Sequence, residues 1–207
     1  MSNDPHIITD AATLRAVVGA EIPGLALKVE RVLTEDARAF IAASPFLVLS
    51  TCNTNGGLDA SPKGDDPGFV QVADDVTLLI PDRPGNKLVF GHLNILSNPQ
   101  VGVLFMLPGT AETLRVNGRA ELTANPDVLA LLAARGKPAV LAIRVHVEEC
   151  FFHCGKASIR SQLWSPATWP ARKVISFGSM LAEKRGGDAA MAAQIDSVVA
   201  ADYRDNL

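Results

Sequence analysis

The sequence predicts a mainly β protein with peripheral helices, built on an antiparallel sheet of six to seven strands that curls into a closed or nearly closed barrel. Three observations predict this. Apolar runs rich in β-branched residues recur at short intervals between Phe46 and Phe152, which is strand rather than helix spacing. The breaks between them are short and polar, above all Asn53-Thr54-Asn55-Gly56-Gly57, whose Asn and Gly tolerate the positive φ of a tight hairpin turn. Helical patterning is confined to the two ends and to two connections. Strands joined by hairpins run antiparallel, which argues against a doubly wound parallel sheet. With no fixed-period repeat and no low-complexity linker, one domain over residues 1–207 is the simplest division. It carries a helical segment at about 1–44 and a helical tail at about 171–207.

In chain order, Asp10 is placed to cap a helix ending near Gly19. Thr34 is placed to cap a second, with Glu35 and Asp36 in its first turn and Ala37, Phe40 and Ile41 on one face. Pro45 marks the change to strand. Residues 46–52 and 58–63 flank the Asn-Gly turn as a hairpin, and residues 68–72 and 76–80 form a second meander around Ala73, Asp74 and Asp75. Pro81 terminates that strand. A turn follows, then a helix whose Val89, Leu93 and Leu96 fall at i, i+4 and i+7 and make one apolar face. Asn98-Pro99 stops it. Strands at 101–105 and 112–122 come next, then a helix capped by Asn125, opened by Pro126 and ended by Gly136. Residues 139–152 form a long, largely alternating strand that places His146 outward. Residues 155–164 and 180–203 read as helices, the latter rich in alanine.

The bulk numbers exclude several classes. Hydrophobic residues make up 48% of the 207 and charged residues 20%, an ordinary balance for a soluble globular chain. A net charge of −3 gives no general attraction to nucleic acid or to acidic membranes. Three scattered cysteines do not make a disulfide framework. The first residues lack a cationic start followed by a long apolar run, and no segment reaches the roughly 20 apolar residues of a membrane span. The expectation is a cytoplasmic protein of a reducing compartment.

Residues 77–105 concentrate the chemistry. Arg83 and Lys87 fall in the turn just before a helix start, where unpaired backbone N–H groups and the dipole attract an anion such as a phosphate. An ordinary turn with solvated charges reads equally well from these residues alone.

Several stretches together resemble a known family. They are residues 61–69 (SPKGDDPGF), 78–87 (LLIPDRPGNK), 94–105 (NILSNPQVGVLF), 112–122 (ETLRVNGRAEL) and 149–164 (ECFFHCGKASIRSQLW). They are similar to the FMN-binding split β-barrel proteins related to pyridoxamine 5′-phosphate oxidase, in the bacterial branch described as probable FMN-dependent enzymes. The resemblance implies a split barrel holding FMN across a homodimer interface, with a small-molecule substrate or a nicotinamide as electron donor. It implies that Ser61 and Lys63 line the flavin, that the backbone at Ile80 and Pro81 meets the isoalloxazine, and that Arg83, Asn86 and Lys87 grip the phosphate. Asn94 and Thr113 are weaker members of that set. His153, Lys156 and Arg160 are the segment implied for the partner chain's site, with Lys156 and Arg160 four apart on one helical face. The oxidase's C-terminal motif for the pyridoxal ring has no equivalent here, so the implied activity is an oxidoreductase with a different substrate.

The remaining candidates read as structural. Cys150 and Cys154 with His153 lack the four-ligand spacing of a zinc site, so no metal is expected. His92 reads as a helix-surface residue, and Trp164 and Trp169 as flavin-edge or interface packing. No nucleophile–base order stands out, as expected where a cofactor carries the chemistry. The other readings are a non-catalytic flavin-binding or sensing protein and a split barrel using deazaflavin or haem.

Overall fold

Seven strands and seven α-helices make up the computed structural model, which describes residues 4–206. The strands are β1 (Phe46–Cys52), β2 (Leu58–Gly64), β3 (Gln71–Asp74), β4 (Thr77–Asp82), β5 (Gln100–Met106), β6 (Thr113–Thr123) and β7 (Leu141–His153). The helices are α1 (Ala11–Val18), α2 (Glu35–Ala43), α3 (Phe90–Ser97), α4 (Pro126–Leu131), α5 (Lys156–Arg160), α6 (Phe177–Arg185) and α7 (Ala189–Asp205). All strands join one sheet in the order β2-β1-β5-β6-β7-β4-β3, and every neighbouring pair is antiparallel.

Strand alternation places the core. Leu47 and Leu49 of β1, Leu78 and Ile80 of β4, Val103 and Phe105 of β5, and Leu114 and Val116 of β6 all point inward and are essentially sealed from solvent. Each contributes about 1.5–3 kcal/mol by leaving water. Helix α2 adds Ala37 and Ile41 to the same core, and its start is fixed by Thr34, whose hydroxyl accepts from the Ala37 N–H. A smaller cluster of Leu79, Leu132, Ala139 and Ala142 seats α4 outside β4 and β7.

Two local features set the barrel's shape. Between β6 and β7 the register slips: Asn117 faces Glu149 and Gly118 faces Val147, so Glu148 is bulged out. The inward set of β7 therefore changes phase, from Ile143, Val145 and Val147 to Cys150 and Phe152. Gly118 is required at this crossing, because a Cβ there would lie 2.0 Å from the His146 carbonyl oxygen. The second feature is the seam where the sheet curls β2 back towards the end of β4. The two strands share no backbone ladder. Instead Lys63 Nζ meets Asp82 Oδ1 at 2.6 Å, and Arg83 Nε meets Asp65 Oδ2 at 2.8 Å. The sign of the charge is reversed between these two rungs.

Three sequence expectations change. The apolar face of α3 is not its buried face: Val89, Leu93 and Leu96 are exposed, while Gly91, Asn94 and Ile95 pack inward. The helix lies close against β1 and β2 at Gly91 and Asn94, where a small and a hydrogen-bonding residue fit, while Ile95 joins the core. Helix α4 ends at Leu131 rather than at Gly136, which sits instead in the following turn between Ala134 and Lys137. The single tail helix is two helices, because Gly186 takes a left-handed φ of 64° and Asp188 caps a new start.

The ends of the chain are built differently from the barrel. Every residue from Asp4 to Lys28 is exposed, including the whole of α1. Helices α6 and α7 pack on each other, with the Asp196 carboxylate accepting from Gly178 N at 2.8 Å and Ser176 Oγ at 2.6 Å. Among the described residues no helix is long and apolar enough to cross a membrane.

Candidate functional site

A cleft of about 580 Å³ opens on the seam, a size ordinary for small-molecule and cofactor sites. One wall is β2, whose alternation turns Asp59, Ser61 and Lys63 to the same side. The opposite wall is the end of β4. Strand β3 pairs with β4 only as far as Leu79, so the backbone edge at Ile80, Pro81 and Asp82 is unpaired on that side. Residues 83–89 and the first turn of α3 close the cleft. Helix α3 approaches this closely because residue 91 is glycine: a Cβ there would stand 2.9 Å from Asp59 Oδ2.

The loop entering α3 is strained. Lys87 and Val89 both hold positive φ, at 60° and 48°, and a β-branched residue in that region costs free energy that its surroundings must offset. Asn86 helps to hold the bend, its Oδ1 accepting from the Leu88 N–H at 3.0 Å. No side chain caps α3, so its first N–H groups remain available beside the loop.

Asp82 is the electrostatic hub. It accepts from Lys63 and stands 3.5 Å from His92 Nε2. That separation is within ion-pair reach, but the geometry makes no hydrogen bond and leaves this buried nitrogen without a hydrogen-bond partner. Burial pushes the Asp82 carboxyl up, but contact with His92 and Lys63 outweighs it and holds the group below its ordinary value. One residue on, Arg83 is held on two sides: its Nε reaches Asp65, and its Nη1 donates to the Leu132 carbonyl at 2.8 Å. The Asp65 side chain is only 3% exposed, with Arg135 Nη2 also 3.2 Å away.

The twelve residues singled out by resemblance divide into groups. Ser61, Lys63, Pro81, Arg83, Asn86 and Lys87 meet in the cleft. Ile80 is beside it, but its side chain is fully buried in the core. Asn94 is turned away, donating to Thr51 Oγ1 at 3.1 Å and lying 3.4 Å from the Gly57 carbonyl. Thr113 and His153 pair across β6 and β7 at the far end of the sheet, and Lys156 and Arg160 follow on α5. Pro81 pairs with Ala142, eleven residues before His153 on β7, or about 36 Å of strand. That end has its own organisation. Arg115 lies 4.1 Å and Lys28 4.9 Å from the Phe151 ring centroid, and the rings of Phe151 and His153 are 4.8 Å apart. Burial, then Arg115 and Lys28, hold the His153 imidazole below its ordinary value.

Two readings of cleft residues are corrected. Arg83 and Lys87 do not both stand at the helix start, since α3 begins only at Phe90 and Arg83 is held by Asp65 and Leu132. His92 is not a surface residue: its side chain is 12% exposed and faces the cleft. Asp59, Asp65 and Asp82 were not among the candidates. Alternation with Ser61 and Lys63 was a signal for Asp59, and the Asp65–Arg83 pairing has no sequence signal.

The family comparison agrees with this architecture. Residues 33–154, more than half of the chain, match the family model described as pyridoxamine 5′-phosphate oxidase. The barrel and its seam define a split β-barrel protein, and the chain belongs to the pyridoxamine 5′-phosphate oxidase family. Among solved structures, HupZ of Group A Streptococcus is similar at 18% identity, covering 57% of this chain and 92% of that one with a TM-score of 0.47. An FMN-binding protein from Syntrophomonas wolfei is similar at 16% identity, covering 58% and 85% with a TM-score of 0.44. General Stress Protein 26 from Bacillus anthracis is similar at 16% identity, covering 55% and 88% with a TM-score of 0.42. No curated protein matches the chain.

Proposed function

We propose that the cleft binds FMN and that the protein is an FMN-dependent oxidoreductase, acting on a small molecule or a nicotinamide other than pyridoxamine 5′-phosphate. The observation that carries this reading is the convergence of Ser61, Lys63, Pro81, Arg83, Asn86 and Lys87 on one cleft in a chain of this family. The residues fit a flavin mononucleotide. Lys87 forms no ion pair among the described residues and sits beside the uncapped start of α3, an arrangement suited to a phosphate. The open edge of β4 and the orphaned His92 Nε2 offer polar contacts to a planar heterocycle. Lys63 and Ser61 stand on the facing wall.

When bound, FMN supplies the hydride-accepting chemistry. The chain's own work is to hold the phosphate with Lys87 and the α3 amides, to position the ring between β2 and β4, and to balance charge through Lys63, Asp82 and His92. Arg83 acts by bracing the loop against Asp65. Thr113, His153, Lys156 and Arg160 lie too far from this cleft to serve it within one chain, which supports a homodimer in which they serve the partner's site.

FMN titration followed by flavin absorbance and fluorescence tests this reading. Lys87→Ala is expected to weaken FMN by about 1.5–3 kcal/mol, the value of a charge-assisted contact. A protein that stays colourless in excess FMN sinks the proposal. Anaerobic addition of NADH or NADPH then separates enzyme from binder, since a flavin that binds but never bleaches leaves only the non-catalytic reading.

A further inference from the structure

We infer that His92 makes the cleft selective for a charged ligand: its imidazole takes up a proton as an anion binds, and the anion is held more tightly for it. The inference rests on the cofactor reading of the cleft and deepens it, from which residues hold the ligand to what ligand charge they require.

The fixed charges of the cleft largely cancel. Besides His92, five charged side chains line it: Asp59 and Lys63 from β2, Asp82 from β4, and Arg83 and Lys87 from the loop. The helix's other neighbours, β1 and β6, contribute no residue to the cleft, and α3 itself carries no other charge. Lys63 is matched by Asp82, and Arg83 by Asp65. That leaves Lys87 and Asp59, which are opposite in sign. A phosphate monoester brings a charge of about −1.5 to −2 at neutral pH, and the fixed groups offer it no positive excess. His92 is the lining residue whose charge changes readily in the physiological range.

Its surroundings are arranged for that change. Helix α3 buries Gly91, Asn94 and Ile95, and this rotation turns His92 to the cleft. The buried Nε2 has no hydrogen-bond partner among the described residues, yet stands 3.5 Å from Asp82 Oδ1. A neutral imidazole leaves that nitrogen unsatisfied. An imidazolium has donors on both nitrogens, one for the carboxylate and one for a ligand. What opposes it is Lys63, whose Nζ lies 2.6 Å from the same oxygen and repels a second cation. The negative charge of a ligand offsets this repulsion. Linkage then makes the effect reciprocal: an anion that favours the proton on His92 is favoured by that proton to the same degree.

Calorimetric titration with FMN, repeated in buffers of different ionisation enthalpy between about pH 8 and pH 6, counts the protons taken up. Riboflavin, which lacks the phosphate, is titrated beside it. The phosphate of FMN itself titrates near pH 6, so wild type is compared with His92→Gln. For a coupling of about tenfold, wild type should take up more protons than the variant, by a difference peaking at about half a proton per FMN. Its preference for FMN over riboflavin should exceed the variant's by up to about tenfold, widening as pH falls. Asp82→Asn should lose the same uptake. Proton NMR of the wild-type His92 ring requires no variant to fold: FMN or inorganic phosphate added at pH 7 should move its resonance toward the imidazolium position. Equal proton counts in wild type and His92→Gln overturn the inference, as does a ring that FMN and phosphate both leave unmoved. The cofactor reading fails separately. Phosphate that moves the ring in a protein unable to bind FMN keeps the anion selector and removes the flavin.

Discussion

The barrel is closed by two kinds of bond around its circumference. From β2 through β1, β5, β6 and β7 to β4, neighbouring strands are joined by backbone ladders. Between β2 and the end of β4 there is no ladder, and charged side chains bridge the gap. A ladder is indifferent to pH and little affected by salt, because its donors and acceptors do not titrate. The seam is built from charged side chains, and its partners Lys63, Asp82 and Arg83 remain 17–23% exposed. The difference teaches where a ligand can act on this protein. A bound anion or heterocycle competes with the seam's charges, and nothing comparable is available along the ladders.

Four substitutions or conditions test this contrast, from the largest expected effect to the smallest. Gly118→Ala forces a Cβ into the β7 backbone at 2.0 Å and is expected to cost about 3 kcal/mol or more in urea unfolding. Stability near wild type would show that the β6–β7 crossing is not tight. Asp65→Asn leaves Arg83 and Arg135 without their carboxylate. It is expected to cost about 2–3 kcal/mol, below the full value for a buried pair because both guanidinium groups are partly exposed. An unchanged midpoint would mean that this rung does not hold the seam.

The third test is pH. The Asp82 carboxyl in the folded state is held below its ordinary 3.8. A depressed carboxylate contributes stability that is present above the unfolded value and lost as pH falls through the folded one. Wild type should therefore lose stability below about pH 4, and Asp82→Asn should lack that component of the loss. Parallel acid profiles for the two proteins would remove Asp82 from the account. The smallest effect is expected on the ladder side. Arg144 and Glu121 pair at 2.7 Å across β6 and β7 but are 40% and 65% exposed, so Arg144→Ala should change stability by less than about 1 kcal/mol.

Much of the fold was legible because its signals are local. Thr34, Asp10 and Asn125 cap the helices expected of them, and the Asn53–Gly57 turn joins β1 to β2 in register. What could not be read depended on surfaces distant in sequence. The period of Val89, Leu93 and Leu96 pointed to one face of α3. The helix instead buries Gly91 and Asn94, because Asp59 and Thr51 of the neighbouring strands are what it meets. The direction of His92 follows from that rotation. For the site, motif resemblance brought six residues to one cleft but not the carboxylates that pair with them. Asp65 and Arg83 are eighteen residues apart and are joined only by the curl of the sheet. Gly186-Gly187 breaks the tail into two helices, but the surrounding alanines read as continuous.

Pro62 of β2 lies opposite Val48, and Pro81 of β4 lies opposite Ala142. A proline is tolerated in a strand only where its ring nitrogen faces away from the paired neighbour. In both strands that direction is the seam, so each lip presents a tertiary amide where a zipping ladder would need a donor. The opening is therefore fixed by covalent chemistry. Even with every charge at the seam neutralised, β2 and β4 could not knit together at these positions, and no strand from another molecule could extend the sheet through them. The same two rings that keep the cleft from healing shut also protect an exposed sheet edge from aggregation.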